Sequence, residues 1–548
     1  MDFERIPTIS NKKSESVQKK TEATPEFLPV NVPSYQEIIS STRLNEVEFT
    51  QKDYERYCES LRERMHVIIE QTERLRGMFD RLRNIVEVDE KQKPSGLFLA
   101  GQEQLKRIDE RLDVALHQKD FFSVIDSAYL PEVQLDSLSE DLRGLKEILM
   151  YAALQGSYQS PATDQKHAQQ GFQRSRVQNE VSDIAPTYAR FNAAPENIEN
   201  KLHSVVSLPE GIEGKTFLYG SGMGALAGVS TFALTETAGS DSKILFGASS
   251  YFETQAQADI WRKTLPPEKV VTFDEREEGD FDRALEQNPR VIVTEHVVNT
   301  SELPVVPIEK ITKHPYEGDG IRFIIIDYTM SGPTFDVSRY IDKIGDNDVL
   351  VLVTSLQKLY QEGDDMVPGG MATFAVSKTS TVSLRDMESR IRLLRGVLGV
   401  NATTQSIISL SLTNPDAIRS HAEQIGRNVS ELAASFPREN KVVSSIFEPP
   451  RLATGTSEGM VFTVNFSDVS TKERFMARAL ELAERKGIRI SEGSSFGFRS
   501  TRLWTNRQPI NDSLTVRIAP GTENERQVAV LKQIFSQAVE FASGENGY

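Results

Sequence analysis

Hydrophobic and polar positions along this chain follow two rhythms. Between about residues 48 and 87 the period is helical. Leu61, Met65, Ile68, Thr72, Leu75, Phe79 and Leu82 recur at four- and three-residue steps, so one face is apolar except at Thr72. Glu63, Arg64, Glu73 and Arg74 fall on the other faces. Two more helical patterns run near 100–118 and 138–154. Such stripes predict either a small bundle that closes on itself or a module for oligomerisation or partner docking. Residues 1–33 are polar and punctuated by Pro25, Pro29 and Pro33, the pattern of a disordered leader. The stretch 156–180 is rich in Gln, Ser and Gly and reads as a domain junction.

After about residue 215 the second rhythm begins. Short apolar, β-branched runs appear at Lys215–Tyr219, Lys243–Phe246, Lys269–Phe273, Arg290–Thr294, Arg322–Ile326 and Asp348–Thr354, several of them separated by helix-compatible segments. Buried strands alternating with helices predict a largely parallel sheet covered on both faces. Ligands of such sheets gather at the carboxyl ends of the strands. The expected organisation is a leader (1–33), a helical N-terminal domain (34–160), an α/β large domain (180–400) and a small C-terminal domain (401–548).

Composition narrows the function classes. A chain of 548 residues is too long for one ordinary core. A net charge of −16 argues against nucleic acid or an anionic membrane as partner. Cys58 is the single cysteine, which excludes an internal disulfide and zinc sites built on cysteine pairs and fits a reducing compartment. No run approaches the roughly 18 apolar residues of a membrane span, and a cytoplasmic location is expected. None of the seven histidines, His296 included, has metal-ligand spacing, so no metal is expected.

The strand ends carry the candidate chemistry. The first is followed by Gly220-Ser221-Gly222-Met223-Gly224, a glycine-rich turn whose backbone N–H groups suit a phosphate. The fifth ends at Asp327, a carboxylate costly to bury unless paired; it caps the next segment or faces a protonated ring nitrogen. The sixth leads to Lys358, which is either a solvated loop residue or a desolvated amine poised to condense with an aldehyde.

Phosphate loop, Asp and Lys in that order make the chain resemble the cystathionine γ-synthase / methionine γ-lyase group, from about residue 180 to the end. This is the Cys/Met-metabolism branch of the aspartate-aminotransferase-like enzymes that depend on pyridoxal 5'-phosphate (PLP). The resemblance implies PLP-dependent transferase fold type I: a mainly parallel large domain, a small α+β domain and, here, a helical N-terminal extension without a family counterpart. It implies that Tyr188 and Arg190, in Tyr188-Ala189-Arg190, reach the cofactor phosphate of a neighbouring subunit, so that a homodimer or homotetramer with shared active sites is expected. Gly222 and Met223 would bind the phosphate, and Tyr251 would stack on the ring and serve as acid or base. Asn299, in Glu295-His296-Val297-Val298-Asn299, would contact the phenolic oxygen. Asp327, followed by Tyr328-Thr329, would hold the ring nitrogen. Ser355-Leu356-Gln357-Lys358 would carry the Schiff base. Ser491 and Arg517, in Val516-Arg517-Ile518, would bind the substrate carboxylate.

Three departures from the family pattern stand out. Gln357 replaces a phosphate-binding Thr, the specificity segment reads Ser491-Glu492-Gly493-Ser494-Ser495-Phe496, and Gly363-Asp364-Asp365 follows the lysine. The implied activity is γ-replacement or γ-elimination on an amino acid such as an O-activated homoserine or cystathionine. The alternatives are a Cβ-lyase, a specialised-metabolism enzyme acting on an unusual amino acid, and a non-catalytic scaffold of the same fold.

Overall fold

The computed structural model describes residues 51–87, 96–117, 131–157, 196–237, 243–341, 343–438, 441–505 and 514–544. The leader, the 158–180 junction, and Tyr188 and Arg190 lie outside the described residues.

The large sheet has seven strands in the order β1-β7-β6-β5-β4-β2-β3. These are β1 (Ile212–Tyr219), β2 (Lys243–Gly247), β3 (Val270–Phe273), β4 (Pro289–Glu295), β5 (Arg322–Asp327), β6 (Asp348–Ser355) and β7 (Gly370–Ser377). All run parallel except β7, which is antiparallel to both of its neighbours, β1 and β6. The central strand β5 shows why. Phe323 and Ile325 enter the core on one face, Ile324 and Ile326 the core on the other, and all four are fully buried. A strand apolar at every position is stable only with both faces covered. The first five helices beyond the N-terminal region are α4 (Glu196–His203), α5 (Gly222–Glu236), α6 (Phe252–Thr264), α7 (Asp280–Leu285) and α8 (Leu384–Leu398). Of these, α5 and α8 pack on one another, α5 against β6 and β7 and α8 against β1 and β7.

A second sheet, ordered β10-β11-β12-β9-β8, follows. Its strands are β8 (Val443–Phe447), β9 (Phe462–Phe466), β10 (Ile490–Glu492), β11 (Thr501–Thr505) and β12 (Thr515–Ala519). Its part of the chain carries α9 (Thr404–Ser411), α10 (Pro415–Ser435), α11 (Val469–Lys486) and α12 (Glu525–Ser543). Phe436, Phe462, Phe466, Phe475 and Phe535 form its aromatic core, with ring centroids 4.9–6.1 Å apart. The fold class is the expected one: a mainly parallel α/β unit, a smaller α+β unit and helices before both.

Those first helices are α1 (Gln51–Glu87), α2 (Gly96–His117) and α3 (Pro131–Ser157). The predicted stripe on α1 is buried from Leu61 to Phe79. It is covered by the chain itself: α2 and α3 pack on α1, α1 also meets α12, and α3 meets α9. Thr72, the polar interruption, is harmless because its hydroxyl donates to the Ile68 carbonyl at 2.8 Å. One continuous apolar cluster links this bundle to the second sheet and to one face of the first.

Candidate active site

Parallel strands place their carboxyl ends along one edge of the large sheet. There β4 ends in Glu295 and β5 in Asp327, directly opposite one another in register. Two buried carboxyls side by side cannot both ionise readily. Burial, then the charge of Asp327, pushes the Glu295 pKa up to about 8, although the N–H groups of Tyr251 and Asn299 donate to it. Glu295 is therefore largely protonated at neutral pH. Burial also raises the Asp327 pKa, opposed by the hydroxyl and N–H of Thr329 and by the charge of Lys358. The Thr329 N–H donates to Asp327 Oδ1 at 2.8 Å, and its Oγ1 accepts from the Ser355 N–H at 3.0 Å, tying the ends of β5 and β6 together.

Lys358 lies three residues beyond β6. Its Nζ donates to Ser495 Oγ at 3.0 Å and sits 5.1 Å from the centre of the Phe496 ring. Burial lowers its pKa, as does Arg517, while Asp365 and Asp327 pull the other way. The site therefore holds a desolvated amine rather than a solvated loop lysine.

Arg517 comes from β12 of the second sheet and is 9 % exposed. One terminal nitrogen donates to Asn299 Oδ1 at 2.8 Å and the other to the Ser494 carbonyl. Its Nε is buried without an acceptor among the described residues. Burial brings its pKa down to about 10. Tyr251 precedes α6 and is 38 % exposed, and its ionisation responds to Arg517, Glu295 and Asp327 after burial and Glu253.

The glycine-rich turn also reaches this edge. Ser221 caps α5 by accepting from the Gly224 N–H at 2.9 Å. The N–H groups of Gly222 and Met223 stand in the first turn, where a helix has no carbonyls of its own to offer them. The backbone packs tightly: a Cβ on Gly222 would lie 2.9 Å from Ser355 Cβ, and one on Gly370 only 2.1 Å from the Ser221 carbonyl oxygen. The Gln357 side chain lies near Asp365 and opposes the rise that burial causes in its pKa. Ser491 lies on β10 opposite Arg502, while Ser494 and Ser495 make the contacts to Arg517 and Lys358. His296 is a core residue, bonded to Ser331 Oγ at 2.8 Å and packed on Phe335.

Asp327, Lys358, Arg517, Asn299, Tyr251 and Thr329 are thus linked by hydrogen bonds or by mutual electrostatics, with Gly222 against Ser355 at the neighbouring strand end. Sequence reasoning gave no role to Glu295, Ser495 or Asp365. For Glu295 the signal existed, since a carboxyl ending an apolar strand is the same cue that singled out Asp327. The donor set fits PLP: a buried carboxyl held by the Thr329 N–H, with no cation in hydrogen-bonding contact among the described residues, suits a ring nitrogen. Helix N-terminal amides suit a phosphate and a desolvated amine suits an aldehyde. Among the described residues no group of three His, Cys, Asp or Glu could hold a metal ion, and no helix is long and apolar enough to cross a membrane.

No family model matches the chain. It is 22% identical over 366 residues to the bifunctional enzyme flvA of Aspergillus flavus, covering 64% of this chain and 42% of that protein. The match thus spans less than half of that relative's length. Among solved structures it is similar to cystathionine γ-synthase from Xanthomonas oryzae pv. oryzae in complex with cystathionine: 13% identity, 65% of this chain, 88% of that one, TM-score 0.49. A putative O-acetylhomoserine (thiol)-lyase from Campylobacter jejuni, which carries a pyridoxyl-lysine monophosphate, matches at 17% identity over 69% of this chain and 92% of its own, TM-score 0.48. Yeast cystathionine γ-lyase matches at 14% over 65% and 87%, TM-score 0.46.

Proposed function

We propose that this chain is a PLP-dependent enzyme of the cystathionine γ-synthase / methionine γ-lyase kind, acting at Cγ of an amino acid by elimination or replacement. The observation that carries the reading is the meeting of Lys358 and Asp327 from one sheet with Arg517 from the other. Lys358 would hold the cofactor covalently, Asp327 its ring nitrogen, and the Gly222 and Met223 amides with Ser355 its phosphate. When bound, the cofactor supplies an electron sink for the pair left on the α carbon as its proton departs.

The chain's own groups do the rest. Arg517 grips the α-carboxylate with a two-pronged charged hydrogen bond and so fixes which face of the α carbon is presented. The Lys358 amine, free once the substrate's own amine has displaced it and with its pKa lowered by burial, would take the α proton and deliver or remove one at Cβ. Tyr251 is the second acid or base, next to the departing group. Glu295, protonated, adds no second negative charge beside Asp327, which leaves the Asp327 carboxylate to pair with a protonated ring nitrogen when the cofactor is bound. Tyr188 and Arg190 would complete the phosphate site across a homodimer or homotetramer interface, and the protein would work in the cytoplasm.

Two measurements test this. Lys358→Ala should abolish the yellow band of the PLP-loaded protein; an unchanged band in that variant removes Lys358 from the role. A panel of γ- and β-substituted amino acids should release α-ketobutyrate or join to a thiol. Pyruvate as the keto acid would move the reaction to Cβ, and no turnover with any of them would favour a scaffold.

A further inference from the structure

The turn that follows Lys358 has an uncommon backbone conformation and is bonded to the N-terminal helices. Glu362, Gly363 and Asp365 all have positive φ, at 53°, 85° and 47°. Residues with a side chain adopt that region uncommonly, Asp less so than Glu. The inner part of the turn is closed by Gln361, whose side chain bonds the Leu356 and Val367 carbonyls and the Met366 and Val367 N–H groups. The tip is held from outside. Gln71 of α1 donates to Glu362 Oε2 at 2.5 Å, and Lys146 of α3 pairs with Asp364 Oδ2 at 2.5 Å. Both members of the Lys146–Asp364 pair are buried, with side chains 7% and 4% exposed. Arg499 completes the clasp, donating to Asp364 Oδ1 at 2.9 Å and to the Glu362 carbonyl at 3.1 Å. Burial would raise the Asp364 pKa, but Lys146 and Arg499 outweigh it and hold the carboxylate charged.

The next residue faces the site. Asp365 Oδ1 is buried with no donor among the described residues, and Asp365 and Lys358 act on one another's charge. We propose that Lys146 and Gln71 are positioning residues: by clamping Glu362 and Asp364 they turn Asp365 toward Lys358, so that the N-terminal bundle is a working part of the active site. The inference deepens the function proposed above and rests on it only for the role of Lys358. A bundle that merely covered apolar surface would not need two polar clamps, at Glu362 and Asp364, on one turn.

The test reads the amine itself. In the full-length chain freed of aldehyde by hydroxylamine, the pH dependence of Lys358 acylation by a limiting amine reagent is followed by peptide mass spectrometry. Lys358 is faced by Arg517 from β12, Arg502 from β11, Asp327 from β5 and Asp365 from the turn, so its midpoint reports their placement. Asp365→Asn should raise the reactive fraction of Lys358 at neutral pH by about threefold to tenfold, because a stabilising negative charge is lost. Lys146→Met should give the same shift, Lys146→Arg should restore the wild-type midpoint, and Lys146→Met should add nothing in the Asp365→Asn background. If Lys146→Met does not fold, Gln71→Leu serves in its place and should shift the midpoint in the same direction. Wild-type reactivity in the folded clamp variant, or shifts that simply add, would overturn the proposal. Because no cofactor enters this measurement, its failure is distinct from a failure of the Lys358→Ala test.

Discussion

Replacing Glu295 with Gln should stabilise the unloaded chain, and by an amount that grows with pH. The free glutamate has a pKa of 4.5, while burial and the neighbouring Asp327 lift it to about 8 in the fold. A carboxyl whose pKa is raised by folding binds a proton in the native state that the unfolded chain releases, so stability falls as pH rises from 4.5 toward 8. Each pH unit in that window costs about 1.4 kcal/mol, which makes the penalty about 3 kcal/mol at pH 7, about 4 at pH 8 and under 1 at pH 5. Gln keeps the shape of the protonated acid and an oxygen that accepts the Tyr251 N–H, yet carries no titration. Wild type and Glu295→Gln should therefore unfold at similar temperatures at pH 5 and diverge steadily to pH 8, the variant being the more stable. Titrating groups that do not interact with Glu295 are common to both chains and drop out of the difference, which leaves Glu295 and its neighbour Asp327. Calorimetric scans at several pH values measure it directly. A difference that stays constant from pH 5 to 8 would refute the reasoning, because it would mean that Glu295 is ionised in the fold. Repeating the comparison in an Asp327→Asn background should shrink the divergence, since the second cause of the raised pKa is then gone.

Arg517→Ala should leave cofactor binding intact and raise KM for the amino acid by about 10- to 100-fold, the range expected for a lost charge-assisted pair; loss of the bound cofactor instead would make the residue structural. Gly370→Ala should weaken PLP binding at least tenfold, read by fluorescence titration. Its Cβ would meet the Ser221 carbonyl at 2.1 Å and push the first turn of α5 off the strand end.

Much of the large sheet was readable because burial on both faces demands unbroken apolar runs. The six predicted strands appear as β1 to β6 with their ends moved by a few residues at most. The seventh, Gly370–Ser377, was missed. It opens on Gly-Met-Ala, has only Thr373 and Val376 as β-branched residues, and its leading glycine reads as a turn. Glycine is needed there because the strand begins between β1 and β6, against the Ser221 backbone. Lys358 and Asp327 were legible as polar groups ending apolar strands. Asp365 was not, because its meaning depends on Lys146, 218 positions before Asp364, and no local pattern encodes that meeting. The stripe on α1 said only that something covers it; the tertiary structure supplies α2, α3 and α12.

The site lies between two sheets, so its geometry depends on how they are joined as much as on either alone. Lys358 and Asp327 belong to the first, Arg517 and Ser495 to the second. Ties across the seam include Lys358 to Ser495, Asn299 to Arg517 and Arg499 to Asp364, with His421 Nε2 bonded to the Gly497 carbonyl at 2.9 Å on the second side. Gly497 itself has φ +86°, and a Cβ there would lie 2.5 Å from the Lys358 carbonyl oxygen, so backbone packs on backbone where the sheets meet. The N-terminal helices touch both sides of this seam: Lys146 holds Asp364 after β6, and Glu140 pairs with Arg489 before β10 at 3.0 Å. Under the proposed function, a carboxylate bound by Arg517 would be presented to Lys358 only if the seam keeps its spacing. The bundle contacts the chain on both sides of that seam, which is why substrate orientation should be sensitive to residues of α1 and α3 that touch no substrate.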